Sequence, residues 1–156
     1  MVARNRKQES QMFFDDMPLG KRYTTGSKTL TAEAIIEFAK QWDNQPFHVD
    51  EEAAKKSVYG GLIASGFHTI LTAFNLTLEA SDWSESSMGS PGMSEVRWIK
   101  PLYAGDTLRV EAEVTASKAS KSKPDRGFVD VQYNILNQND DLVSSYHSTH
   151  MLKRRG

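Results

Sequence analysis

Residues 66–78 read Gly66-Phe-His-Thr-Ile-Leu-Thr-Ala-Phe-Asn-Leu-Thr-Leu78, and the spacing of their apolar side chains decides the architecture. Phe67, Ile70, Leu71, Phe74 and Leu78 fall at i, i+3, i+4, i+7 and i+11, the stripe of an amphipathic helix. This spacing predicts the most buried helix of the chain. The wider stretch from Leu62 to Leu78 is interrupted by Ser65, Gly66, His68, Thr69, Thr72, Asn75 and Thr77. It is too polar for a membrane span and reads as a core helix.

Upstream, Gly60 and Gly61 break a shorter helix over Glu51–Lys56, for which Asp50 is a candidate N-cap with Glu51 and Glu52 in the favourable first turn. A further helix is predicted over about 32–42. Thr31 caps it, and Ala34, Ile35, Phe38 and Trp42 make one apolar face. Tyr23–Leu30 is Thr-rich and reads as a first strand. Gln11–Arg22, with Met12, Phe13, Phe14, Met17 and Leu19 beside Pro18 and Gly20, reads as a docked arm, and residues 1–10 as a frayed polar end.

Downstream, the Ser- and Gly-rich segment 81–92 reads as a loop. Met93–Lys100 is a strand stopped by Pro101, followed by a turn over Tyr103–Asp106. Leu108, Val110, Ala112, Val114 and Ala116 alternate with Thr107, Arg109, Glu111, Glu113 and Thr115, the clearest strand of the chain. Lys118–Arg126 reads as a solvated hairpin loop. Val129, Val131, Tyr133 and Ile135 mark one side of a strand over Phe128–Leu136, and Asn137–Asp141 a polar turn. Leu142–Leu152 supplies the last strand before the basic tail at 153–156. The order is α+β: an antiparallel sheet packed on one long helix, whose open edges a symmetric partner can cover. A homodimer is the expected assembly.

With 156 residues the chain fits one domain, 1–156. Nineteen Lys plus Arg against 20 Asp plus Glu give a formal charge of −1, so no global field points to nucleic acid. There is no cysteine, which removes disulfides, thiolate nucleophiles and Cys-based zinc sites. The basic residues of the first ten lack an apolar run behind them, so no secretory signal is read and a cytoplasmic protein is expected.

The chemistry-bearing stretch is Trp42-Asp-Asn-Gln-Pro-Phe-His-Val-Asp50. Asp43 and His48 flank Pro46, which stops a continuing helix and lets both side chains turn to one point. A carboxylate and an imidazole so placed can hold and activate a water. Taken alone, however, the commoner roles are a turn cap for Asp43 and packing under Phe47 for His48. Gly66 opens the long helix, where free N–H groups and the positive dipole end suit a developing oxyanion. A lone Gly more often serves a turn or close packing. Ser65 can donate to a substrate or cap the helix, and the cap is the favoured reading.

Three separated segments, Asp43-Asn-Gln-Pro-Phe-His48-Val-Asp50, Tyr59-Gly-Gly-Leu-Ile-Ala-Ser-Gly66 and Arg97-Trp-Ile-Lys-Pro-Leu-Tyr-Ala-Gly-Asp-Thr-Leu108, resemble in order and wording the MaoC-like (R)-specific enoyl-CoA hydratases. The likeness runs from about 20 to 150. It implies a hot-dog fold, a long central helix wrapped by an antiparallel sheet, in dimers or larger assemblies of dimers with the site near the dimer interface. It implies that Asp43 and His48 are catalytic and that the Gly66 N–H and Ser65 meet the substrate, a coenzyme A thioester. No metal or redox cofactor is implied. Many relatives carry Asn where Gln45 stands and an aromatic or Pro at Asn44. Some branches have His in place of Ser65.

The alternatives are a hot-dog thioesterase, for which Glu79 is the candidate carboxylate, and a non-catalytic subunit that binds acyl thioesters. His147 and His150 lie on opposite faces of one strand, which disfavours a shared metal. His68 reads as a partly exposed or interface residue rather than a pocket wall. Lys118, Lys121, Lys123 and Arg126 read as loop charges rather than a phosphate cradle. Trp83, Trp98, Phe74 and Met88 fit an acyl pocket or ordinary packing equally well.

Overall fold

Alternation in sequence becomes pleat in the structure, a computed structural model that describes residues 11–156. The frayed end expected at 1–10 lies outside the described residues. Strands β1 (Arg22–Thr29), β2 (Gly92–Trp98), β3 (Thr107–Ala119), β4 (Arg126–Leu136) and β5 (Leu142–Lys153) form one sheet. Its spatial order is β1-β3-β4-β5-β2, and every neighbouring pair is antiparallel. In β4 the expected Val129, Val131, Tyr133 and Ile135 are all buried. In β3 the alternation holds through Val114. A register shift between Val114 and Ala116 then ends it, so Ala116 leaves the dry face. Lys118 continues β3, and the predicted loop shrinks accordingly.

The helices are α1 (Ala32–Trp42), α2 (Pro46–Val49), α3 (Glu51–Lys55) and α4 (Gly66–Ala80). Thr31 caps α1 by accepting the Ala34 N–H at 3.1 Å. The buried residues of α1 are Ile35 and Ala39, while Trp42, expected on the same face, is exposed. Asp50 caps α3 with bonds from the Glu52 and Ala53 N–H groups at 2.9 and 3.1 Å.

α4 lies against β1 and β3. Its buried residues are Thr69, Ala73, Leu76 and Thr77, not the stripe expected from periodicity. Phe67, Leu71, Phe74 and Leu78 are 43–61% exposed, and only Ile70 of the stripe packs against the core. Small side chains at 69, 73 and 77 let the helix sit close to the sheet. The bulky stripe therefore faces the other way. The result is an α+β hot-dog arrangement, one long helix on one face of an antiparallel sheet.

Gln11–Arg22 docks as expected: Met17 is fully buried, and the Met12 N–H bonds the Asp82 carbonyl at 3.0 Å. A Cβ on Gly127 would fall 2.3 Å from the Phe14 ring, so the arm is seated on that glycine. The basic tail is pinned as well, since Arg155 bonds Asp15 and Asp16. Segment 81–92 is irregular, as expected, yet it buries Trp83 and Ser86. The Trp83 indole donates to the Thr77 carbonyl at 3.2 Å and stacks on His150, whose pKa burial pushes down to about 4.

Ile135→Ala, at a fully buried position near the end of β4, is expected to lower the unfolding free energy by about 2–5 kcal/mol. Asp50→Ala is expected to cost about 1 kcal/mol, the usual worth of an N-cap. Urea denaturation of both variants checks the ranking.

Candidate active site

The three segments singled out in the sequence meet because the backbone of 60–66 threads between the other two. The Ile63 N–H bonds the Phe47 carbonyl at 3.2 Å, tying it to α2. On its other side the Ala64 N–H bonds the Leu102 carbonyl at 2.8 Å and the Ala104 N–H bonds the Leu62 carbonyl at 3.0 Å. The Tyr103–Asp106 turn is closed by Asp106 accepting the Tyr103 N–H at 2.8 Å. The Tyr103 hydroxyl reaches the Tyr59 carbonyl at 2.8 Å.

Asp43 is the C-cap of α1, and Pro46 then takes the first position of α2 with fixed φ and no N–H to lose. Pro46 therefore starts a helical turn as well as preventing α1 from continuing. That turn carries His48 inward, leaving its side chain only 6% exposed. His48 Nδ1 lies 2.7 Å from the Ile63 carbonyl oxygen. A carbonyl only accepts, so Nδ1 carries a proton, and Nε2 faces Asp43 Oδ2, 3.4 Å away.

Asp43 is held by two donors: Gln45 Nε2 to Oδ1 at 2.6 Å and the Ser65 hydroxyl to Oδ2 at 2.7 Å. Burial alone pushes this carboxyl up. The two hydrogen bonds and the neighbouring His48 outweigh it, so its pKa lies below the ordinary value and Asp43 is ionised near neutrality. Ser65 is fully buried at the N-cap position of α4 but makes no capping bond. The cap expected from sequence is thus replaced by a bond to Asp43, which reaches across 22 residues.

Gly66 stands at the head of α4 and lines the same cleft of about 460 Å³ as Asp43, His48, Phe67, Trp98 and Lys100. A Cβ at Gly66 would lie 2.3–2.7 Å from Nε1, Cε2 and Cδ1 of Trp98. The indole occupies that space, so the glycine is required by close approach. Of the four candidate pocket residues, Trp98 lines the cleft, Trp83 belongs to the core, and Phe74 and Met88 lie outside the lining.

His68 stacks on Phe38 with centroids 4.4 Å apart and lines a second groove with Glu79, on another side of α4. Glu79 accepts from Asn75 at 3.0 Å and is thus no part of the Asp43 cleft. His147 bonds Thr115 and His150 bonds Tyr133, on opposite faces of β5 as expected. Sequence reasoning missed the Gln45 and Ser65 bonds to Asp43, the Ile63 carbonyl and the indole over Gly66. Only Gln45, two residues from Asp43, carried a local signal.

Known proteins resemble this chain in sequence and in fold. A MaoC-like dehydratase structure from Rhodospirillum rubrum is 37% identical, with a TM-score of 0.86 over 93% of this chain and 99% of that one. An uncharacterized protein of Bacillus subtilis is 29% identical over 143 residues, 92% of this chain and all of its own length. A mesaconyl-CoA hydratase of Cereibacter sphaeroides is 37% identical over 87 residues, 54% of this chain but only 25% of that protein. Residues 15–134 match the MaoC like domain, and the chain therefore belongs to the MaoC-like dehydratase family.

Proposed function

We propose that this protein reversibly hydrates a 2-enoyl-CoA to a 3-hydroxyacyl-CoA. The observation that carries the reading is His48 Nε2 and Asp43 Oδ2 3.4 Å apart in one cleft with the head of α4. The water sits between the imidazole and the carboxylate. As its oxygen bonds to the β-carbon, His48 Nε2 takes one of its protons and the C=C electrons move toward the thioester oxygen. The Gly66 N–H, at the positive end of α4, stabilises the resulting enolate. The imidazolium then gives its proton to the α-carbon, and the product carries one H and one OH more than the alkene. Asp43, kept ionised by Gln45 and Ser65, orients the water and steadies the imidazolium. Read backward, the same steps dehydrate a 3-hydroxyacyl-CoA. None of them calls for a metal or redox cofactor.

Ser65 in this reading positions Asp43, since its hydroxyl is already engaged there. A thioesterase reading lacks a carboxylate in the right place, because Glu79 sits thirteen residues along α4 from Gly66, roughly 20 Å at the helical rise. A purely binding role gives no reason for a paired base and ionised acid.

The working assembly is a homodimer. Phe67, Leu71, Phe74 and Leu78 of α4 are exposed, and β2, which meets the head of α4 where Trp98 packs on Phe67, is a sheet edge with one side unpaired among the described residues. A second copy placed by a twofold axis covers both features at once and walls the open side of the cleft. Among the described residues no helix is long and apolar enough to cross a membrane.

Asp43→Asn and His48→Asn are each expected to lower turnover of 2-enoyl-CoA at least about a hundredfold with the fold intact. The loss of conjugated thioester absorbance across short, branched and long substrates measures it, and near-normal rates in both variants overturn the mechanism. Ser65→Ala removes a hydrogen bond to ionised Asp43 and is expected to raise its pKa, read by carboxyl NMR titration. The sign has a stability consequence: a carboxyl depressed by folding stabilises above its unfolded pKa and loses that contribution as pH falls through its folded one. Ser65→Ala therefore weakens stability near neutrality more than in acid. Finally, Phe74→Glu is expected to shift the protein from dimer to monomer in sedimentation velocity. A dimer that persists argues against α4 as the interface.

A further inference from the structure

Trp98 reaches the cleft through an irregularity in the edge strand. β2 pairs Ser94 with His147 but Arg97 with Ser145, so β2 holds one extra residue across the shift, and Glu95 there has a positive φ of 54°. A one-residue slip flips the faces of everything beyond it. Trp98 pairs with Ser144, whose side chain is buried, and so points to the helix side of the sheet rather than following Ser94 outward.

The backbone around the indole is firmly held. The Ser144 hydroxyl donates to the Arg97 carbonyl at 2.7 Å, and the Ile99 N–H bonds the Val143 carbonyl at 2.9 Å. The ring meets Phe67 edge to face with centroids 5.6 Å apart. The Cβ that Gly66 lacks would be nearly equidistant from Nε1, Cε2 and Cδ1. The pyrrole face therefore covers the Gly66 Cα, and the N–H lies along the helix surface instead of pointing into it.

That N–H has no hydrogen-bond acceptor among the described residues, and the side chain is 51% exposed. With Nε1 2.3 Å from the virtual Cβ, it lies within roughly 5 Å of the Gly66 nitrogen by ordinary bond lengths. Two donors that far apart can both reach one oxygen at about 2.9 Å each.

We propose that the Trp98 indole N–H is a second donor to the thioester oxygen, completing with the Gly66 N–H a two-donor oxyanion site. This rests on the hydratase reading above. The assignment explains why a donor-bearing aromatic, brought inward by a bulge, is left without a protein partner at the head of α4. Packing on Phe67 and Gly66 needs only the ring.

Trp98→Phe keeps an aromatic face and removes the N–H. With crotonyl-CoA as probe, its kcat is expected to fall about a hundredfold, as on loss of one oxyanion donor, with KM changed less than about threefold. In the Asp43→Asn background, which holds the substrate unreacted, bound crotonyl-CoA is expected to absorb at longer wavelength than free, and adding Trp98→Phe reduces that shift. If Trp98→Phe disturbs the fold by circular dichroism, the benzothiophene analogue of tryptophan at position 98, with sulfur in place of N–H, serves as the shape-matched variant. An unchanged kcat and unchanged shift overturn the proposal. A raised KM with kcat and shift intact overturns it too, placing the N–H elsewhere on the ligand. If the wild-type protein hydrates no enoyl-CoA of any chain length, the hydratase reading falls and this inference with it. If it is active on crotonyl-CoA and the variant matches it, only the second donor is lost.

Discussion

The 2.7 Å hydrogen bond from Ser65 to Asp43 is the constraint on which the cleft depends. It fastens the end of α1 to the head of α4 and settles two matters at once. It keeps a largely buried carboxylate ionised by supplying part of the solvation that burial removes. It also diverts the hydroxyl that would ordinarily cap α4, so the first N–H groups of the helix receive no side-chain partner from the N-cap residue. A helix start left uncapped in a cleft is a place where an anionic oxygen gains a partner that water alone supplied before. In the proposed hydration, the carboxylate that orients the water and the donor that receives negative charge are therefore linked through one serine.

His48 is fixed by a comparable economy of means. Its Nδ1 is committed to the Ile63 carbonyl, and Ile63 is itself bonded to the residue preceding His48 through the Phe47 carbonyl. The ring tautomer is thus set by backbone rather than by a second carboxylate. Asp43 stays on the Nε2 side, which in the proposed reaction is where the water is held.

Much of this fold is legible in the sequence, and the failures have a common cause. Alternation located β3 and β4, and the caps at Thr31 and Asp50 bond as their residue types imply. Periodicity found α4 but assigned its core face wrongly, because an apolar stripe reports that a surface must be covered and not what covers it. Thr69, Ala73 and Thr77 pack on the sheet since they are small enough for close approach, a property that a hydrophobicity pattern does not weigh. At the site, Asp43, His48 and Gly66 were legible as residue types in a recognisable order. Ser65 was misread as a cap because local preference speaks for a cap, whereas its partner lies 22 residues away. The Ile63 carbonyl carries no side-chain signal at all.

Trp98 shows how the sheet edge and the cleft are coupled. In a regular strand its parity would put it on the face of Ser94, and the bulge at Glu95 reverses that. Gly66 then has to lack a Cβ for the indole to lie where it does. Among the described residues β2 is bonded on one side only, to β5, so the strand that aims Trp98 is also an edge strand. In the homodimer proposed above, a second copy laid on that edge restrains the bulge and with it the indole over the head of α4.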